Sequence, residues 1–140
     1  MTSEPQTDGP TPVTSAAGLI AAAGEPTPGG SLRMAISNAM VGLKKQYYGK
    51  GPARARTYFA DEYIFVAMEG GLTRNEETLI EAGKHDVVRA YRLEFQATVT
   101  ATATSAIEEL TGRRVIGYHS QIVFQPTRVF EIFVLDEPAG

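Results

Sequence analysis

The segment Gly70-Gly71-Leu72-Thr73-Arg74-Asn75-Glu76-Glu77 constrains the fold of this chain more than any other. It ends a run of aromatic and β-branched residues and begins a helix, because Thr73 and Glu76 have the spacing of a capping box. In that motif each side chain accepts a hydrogen bond from the other residue's backbone N–H. A junction of this kind between a strand and a helix predicts an α+β domain.

A first helix is expected to begin after Gly29-Gly30, with Ser31 as its N-cap, and to stop at Gly49. Its apolar residues recur at spacings of three and four, which places them on one face. The members of this face are Leu32, Ile36, Met40, Leu43 and Tyr47.

Two β-hairpins are predicted from runs rich in aromatic and β-branched residues. The first joins residues 54–59 to residues 63–68 through a tight turn at Ala60-Asp61-Glu62. The second joins residues 114–124 to residues 129–135, with a proline in the connecting turn.

The stretch between the hairpins is expected to contain two helices. One straight helix would be roughly 57 Å long at 1.5 Å per residue, which exceeds the size of a small domain. Gly83 offers a break between a short helix at 74–82 and a long helix at 86–111, with His85 or Asp86 as the cap of the second.

The long helix contains an awkward segment at residues 98–104, where threonines alternate with Val or Ala as in a strand. The periodicity on either side and the stop at Gly112 favour a helix there nonetheless. One face is expected to be buried, and it comprises Val88, Arg92 through its stem, Phe95, Val99, Thr102, Ala106 and Leu110.

Together these elements predict one two-layer α+β domain at residues 31–137. A four-stranded antiparallel sheet would be covered by helices on one face. The second face of the sheet, or the Thr/Ala-rich side of the long helix, would be available for self-association. We therefore expect a homodimer.

Residues 1–30 are expected to form a disordered tail. They hold five of the eight prolines, three acidic residues and no basic residue. Such a composition cannot bury enough apolar surface to offset the entropy lost on ordering. Residues 31–140 carry 13 basic and 13 acidic side chains. Because the folded part is formally neutral, binding of nucleic acid is not the favoured function.

The chain has no cysteine, which rules out a disulfide scaffold and thiolate metal sites. No run reaches the ~20 apolar residues that a transmembrane helix needs. The N-terminal region has acidic residues where a secretory signal would have basic ones. We therefore expect a cytoplasmic protein.

The strongest electrostatic feature is a basic cluster interleaved with two tyrosines. Its members are Lys44, Lys45, Lys50, Arg54 and Arg56. It is consistent with binding of an anion, a phosphate ligand or a partner. It is more typical, however, of a helix end compensated by its dipole and followed by solvated strand charges.

No catalytic, metal-binding or cofactor-binding residue is predicted. His119 and Ser120 are neighbours on a strand, so their side chains point to opposite faces and do not form a base–nucleophile pair. The two histidines lack metal-ligand spacing, and no glycine-rich dinucleotide motif follows a strand.

The region from Gly49 to Asp136 resembles the bacterial MpsC-like domain family, long catalogued as a domain of unknown function. The resemblance follows the order and spacing of several short motifs. These are Gly49-Lys50-Gly51-Pro52, Gly71-Leu72-Thr73 with Glu76 or Glu77, Gly83, Arg92, Glu109-Leu110-Thr111-Gly112, Val115 through His119-Ser120, and Val129 to Leu135.

The resemblance implies association with a membrane potential-generating system linked to cations or bicarbonate, in which this family is the soluble member. It supplies no catalytic residues. The leading hypothesis is therefore a non-catalytic accessory or regulatory protein with a membrane transport subunit as partner. The alternatives are a nucleic-acid or phosphate-binding module that uses the basic cluster, and an acid–base enzyme built around His119.

Overall fold

A computed structural model describes residues 30–137, which form three helices and four strands. In chain order these are α1 (Gly30–Tyr48), β1 (Arg54–Ala60), β2 (Tyr63–Glu69), α2 (Arg74–Glu81), α3 (His85–Thr111), β3 (Val115–Val123) and β4 (Arg128–Leu135). The predicted order of helix, hairpin, helices and hairpin is confirmed. The predicted tail lies outside the described residues, apart from Gly30, which begins α1.

The four strands form one antiparallel sheet in the order β1-β2-β4-β3. Its inner face, defined by Val66, Glu131 and Phe133, is buried beneath the helices. Its outer face carries Tyr58, Phe65 and Phe130 and is partly exposed. This alternation follows from the period of two along a strand. The predicted two-layer α+β architecture is confirmed.

The hydrophobic core lies between the inner face of the sheet, α1 and α3. The core includes residues from the predicted buried face of α1. It also includes small residues of α3, which allow that helix to pack closely against the sheet. Its fully or almost fully buried members include Ile36, Met40, Leu43, Ile64, Val66, Met68, Ala103, Ala106, Ile107 and Phe133.

The threonine-rich part of α3 is helical, as predicted. The hydroxyls of Thr98, Thr100 and Thr104 donate to backbone carbonyls four residues earlier, at 3.0, 2.6 and 2.9 Å. These bonds satisfy the hydroxyls within the helix itself. The threonines are therefore compatible with a helix that packs against the core through residues such as Ala103 and Ile107.

The capping box at Thr73 is present in both directions. The Glu76 N–H donates to Thr73 Oγ1 at 3.2 Å, and the Thr73 N–H donates to Glu76 Oε1 at 2.9 Å. The predicted start of α2 is therefore confirmed at the level of individual hydrogen bonds.

Two other predicted caps are wrong. Ser31 lies inside α1, because the helix already includes Gly30. The N-cap of α3 is Lys84 rather than His85 or Asp86. The left-handed backbone of Gly83, at φ 78°, completes the chain reversal early enough for His85 to be helical.

None of the helices between residues 30 and 137 combines the length and apolar character needed to traverse a bilayer.

Candidate functional site

The inner face of the sheet contains a carboxylate with no exposed surface. Glu131 is 0% exposed and shares its side of β4 with Val129 and Phe133. Burial of a charged carboxylate among apolar side chains is unfavourable unless partners compensate it. Glu131 therefore requires a cation and hydrogen-bond donors close to its carboxylate.

Three side chains from two other elements supply these partners. Lys44 Nζ, on α1, lies 3.0 Å from Glu131 Oε2. The Ser120 hydroxyl, on β3, donates to the same oxygen at 2.5 Å, and the Tyr118 hydroxyl donates to Oε1. Both oxygens of Glu131 are thus engaged, and the carboxylate connects β4 to α1 and β3.

The phenol of Tyr118 is a hydrogen-bond donor in this cluster. Burial raises its pKa far above the ordinary value, and the charge of Glu131 raises it further. Tyr118 also stacks on Phe133, with ring centroids 4.8 Å apart. Its hydroxyl is therefore held protonated and directed at the carboxylate.

A second buried ion pair joins α2 to α3. Arg92 Nε donates to Glu76 Oε2 at 2.7 Å, and Arg92 Nη2 donates to Glu76 Oε1 at 2.6 Å. Arg92 Nη2 also donates to the Gly71 carbonyl at 3.1 Å. The carboxylate that caps α2 is therefore also the partner of a buried guanidinium, in a bidentate arrangement that favours arginine.

The protonation of this second pair is set by two opposing effects. Burial acts to raise the pKa of Glu76, but hydrogen bonds from Arg92 and from the Thr73 backbone outweigh it and lower the pKa. Burial acts to lower the pKa of Arg92, but the hydrogen bonds to Glu76 and its negative charge outweigh burial, so the pKa is raised. Both groups are therefore charged at neutral pH.

Tyr48 lies between the two ion pairs. The guanidinium carbon of Arg92 is 4.1 Å from its ring centroid, and Lys44 Nζ is 5.6 Å from it. Both distances lie in the range of cation–π attraction. Burial raises the pKa of Tyr48 to about 12, although the charge of Arg92 acts to lower it.

A cavity of about 200 Å³ opens beside these groups, between α1, α3 and β3. Its walls combine the two buried cations and Tyr48 with apolar side chains. The lining residues used below are Lys44, Tyr48, Arg92, Leu93, Ile122 and Val129. The arrangement can hold a small molecule next to positive charge.

The structure separates one residue of the predicted basic cluster from the others. Lys44 is 8% exposed and bound to Glu131, so it does not belong to a surface patch. Lys45 and Lys50 are exposed, and Arg54 Nε lies 3.9 Å from a Glu69 carboxylate oxygen. Arg56 is exposed on β1. Binding of phosphate or nucleic acid by these four residues stays a prediction.

The predicted orientation of His119 and Ser120 is confirmed. Ser120 is buried on the inner face, whereas His119 is exposed and its ring Nε2 lies 3.4 Å from Gln121 Oε1. His119 also borders the cavity. His85 packs edge-on against Phe124. Among residues 30–137, no cluster of three His, Asp or Glu side chains is arranged to hold a metal ion.

Sequence reasoning missed the Glu131 cluster, although a signal was present. Glu131 alternates in step with Val129, Phe133 and Leu135, so strand parity alone places it on the buried face. Lys44 lies one turn after Met40 on the apolar side of α1, where a lysine requires a buried partner. Read together, the two positions predict the ion pair.

The fold and this site define a small α+β domain with two buried ion pairs, one on the inner face of the sheet and one between α2 and α3. Residues 29–137 match the family described as "Na+-translocating membrane potential-generating system (MpsC)". The chain therefore belongs to the MpsC family, and the predicted resemblance is confirmed.

One relative extends this comparison without adding a function. It is the "Uncharacterized protein YrhF" of Bacillus subtilis (strain 168), which is 26% identical over 96 residues. The match covers 67% of this chain and 79% of the relative. No solved structure matches the chain.

The Lys44–Glu131 pair is expected to be coupled in stability. Lys44→Met leaves a buried carboxylate without its cation and should lower the free energy of unfolding by about 3–5 kcal/mol. Adding Glu131→Gln to Lys44→Met should recover part of this loss, because the uncompensated charge is gone. Urea unfolding of both single variants and the double variant measures the coupling. Lys45→Met, at an exposed neighbour, is the control. Additive effects of the two substitutions would contradict the pairing.

The Glu76–Arg92 pair predicts a specific pH dependence. Because the folded-state pKa of Glu76 is lowered, its contribution to stability is present above the unfolded pKa of about 4.3 and is lost as the pH falls through the folded value. The difference in unfolding free energy between wild type and Glu76→Gln should therefore shrink as the pH falls from 7 to 3. Denaturant unfolding across this range measures it.

Glu77→Gln, which alters the exposed neighbouring carboxylate, is the matched control and should follow the wild-type pH profile. A wild-type advantage over Glu76→Gln that stays constant down to pH 3 would show that Glu76 is not held by Arg92.

Proposed function

We propose that this protein is a non-catalytic accessory or regulatory component of a membrane potential-generating ion or bicarbonate transport system, acting from the cytoplasm. The observation that carries the proposal is the family match over residues 29–137, since the family description names a Na+-translocating system of this kind. In this proposal the ion path belongs to a membrane subunit, and this chain associates with that subunit.

The geometry of the inner face supports a role without bond-making chemistry. Ser120 donates to the Glu131 carboxylate, whose two oxygens are also engaged by Lys44 and Tyr118, so this contact serves to compensate a buried charge. The exposed His119 makes its side-chain contact with an amide, Gln121. The polar groups of this face thus act mainly on one another.

The accessory role predicts a loss of membrane potential when the gene is deleted in its host. A voltage-sensitive dye should report depolarisation, and expression of the wild-type chain should restore the potential. His119→Ala should restore it equally, because the proposal gives His119 no catalytic part.

An unchanged potential in the deletion strain would contradict the proposed function. Failure of a folded His119→Ala variant to restore the potential would instead favour the enzyme hypothesis.

We also propose that two copies associate through the outer face of the sheet. Tyr58, Phe65 and Phe130 form a continuous aromatic row there, with Tyr58 47% exposed and the rings of Phe65 and Phe130 stacked 5.4 Å apart. Sheets commonly pack face to face at about 10 Å through such side chains.

The charges at the two ends of this face favour a second copy as its occupant. One end carries Arg54, Arg56 and Arg128 around a single carboxylate, Glu69. The other end carries the acidic pairs Asp61-Glu62 and Asp136-Glu137 beside Arg113 and Arg114. A twofold axis in the plane between the sheets, perpendicular to the strands, brings the positive end of each copy onto the negative end of the other.

The dimer proposal predicts twice the chain mass for the wild type in light scattering at micromolar concentration. Tyr58→Glu places a charge in the apolar centre of the proposed interface and should give the monomer mass. Val87→Glu, at an equally exposed position on α3, should remain dimeric. A monomeric wild type, or a dimeric Tyr58→Glu, would refute this interface.

A further inference from the structure

The side chains around the cavity between α1, α3 and β3 carry more hydrogen-bond donors than the neighbouring carboxylates of Glu131 and Glu76 accept. The Lys44 ammonium has three N–H donors, and within residues 30–137 its ionic partner is Glu131. Arg92 uses Nε and Nη2 on Glu76 and Gly71, while Nη1 makes no hydrogen bond within the described part of the chain. Lys44 and Arg92 are each 8% exposed, and both line the cavity.

Tyr48 adds a third donor to the same wall. Its hydroxyl makes no hydrogen bond to any residue between 30 and 137, and it lines the cavity between the two cations. Donors that line a cavity and have no acceptor among the described residues favour a ligand with acceptor atoms.

The balance of charge around the cavity favours a ligand with a single negative charge. Lys44, Arg89 and Arg92 line it, whereas the buried carboxylates beside them are those of Glu131 and Glu76. Arg89 is paired with Asp86, and because their side chains are 41% and 98% exposed, solvent screens both charges. The two buried cations are each matched by one buried carboxylate, so the cavity compensates a single added negative charge better than the two charges of a phosphate dianion.

The rest of the wall is apolar, and the cavity is small. Leu93, Ile122 and Val129 line the cavity together with the cations. At about 30 Å³ for each water-sized group, 200 Å³ corresponds to roughly seven such groups. A hydrated inorganic ion would leave the apolar wall without contacts, and a nucleotide would exceed the space.

We propose that this cavity binds a small apolar monocarboxylate as a free molecule, with its carboxylate near Lys44, Tyr48 and Arg92 and its hydrocarbon part against Leu93, Ile122 and Val129. The inference does not depend on the accessory role proposed above. A bound acid contacts α1, α3 and β3 together, so it would stabilise their packing against one another. Binding of the acid could in this way regulate the protein.

Titration of the purified full chain, followed by ¹H–¹⁵N NMR, tests the proposal. Hexanoate and benzoate should produce saturable shifts at the amides of Leu93, Gln96 and Ser120, with a Kd of about 1 mM or tighter. Hexanamide and benzamide have the same shape without the charge and should bind at least about tenfold more weakly. Inorganic phosphate should also bind more weakly than either acid.

Leu93→Asp provides a variant that is expected to fold, because Leu93 is 50% exposed. It places a negative charge at the cavity mouth and should weaken hexanoate binding by about tenfold. Val87→Asp, at a 50% exposed position that does not line the cavity, should bind as the wild type does.

Three results would overturn the proposal: no saturable shift with either acid by about 10 mM, equal binding of an acid and its amide, or tighter binding of phosphate. Unchanged hexanoate affinity in Leu93→Asp would place the ligand elsewhere and would also overturn it. None of these results bears on the membrane potential of the host, so the two proposals fail independently.

Discussion

The ion pair between Glu131 and Lys44 is the constraint around which the rest of this domain is arranged. A carboxylate with no exposed surface is tolerated on the inner face of the sheet only if a cation and hydrogen-bond donors reach it. The end of α1 must therefore lie over β4. The same requirement fixes the face of β3 that bears Tyr118 and Ser120.

The second buried pair extends this arrangement to the other helices. Glu76 caps α2 and binds Arg92 of α3, which also binds the carbonyl of Gly71. Gly71 has φ 88°, and a Cβ there would lie 3.2 Å from the Pro52 backbone, so glycine is required at this junction. Tyr48 then connects the two pairs through its ring, and the donors they leave unused face the cavity.

Much of the fold could be predicted from local patterns. Three patterns each depend on a few neighbouring residues: the capping box, the apolar residues three and four positions apart along α1, and the alternation of inward and outward side chains in both hairpins. The caps of α1 and α3 were predicted wrongly, because α1 already includes Gly30 and the left-handed backbone of Gly83 lets α3 begin at His85. The resemblance predicted the family correctly, and the proposed function depends on that family match.

The site was harder to predict because its parts are far apart in sequence. Lys44 and Glu131 become neighbours only when β4 takes its central place between β2 and β3, and the sequence did not indicate that strand order. Glu76 was recognised as a cap, but its bond to Arg92 depends on how α2 folds back on α3. The cavity is a consequence of all these contacts and has no local signature.

The most direct test of this account is to observe the ammonium group of Lys44 by ¹H–¹⁵N NMR. Ammonium protons exchange too fast to be seen when a lysine is solvated, whereas burial in an ion pair slows their exchange. The buried pair predicts a distinct Lys44 resonance that disappears in Glu131→Gln, while exposed Lys45 gives none under the same conditions. A Lys44 ammonium that exchanges as rapidly as that of Lys45 would contradict the buried pair on which this description depends.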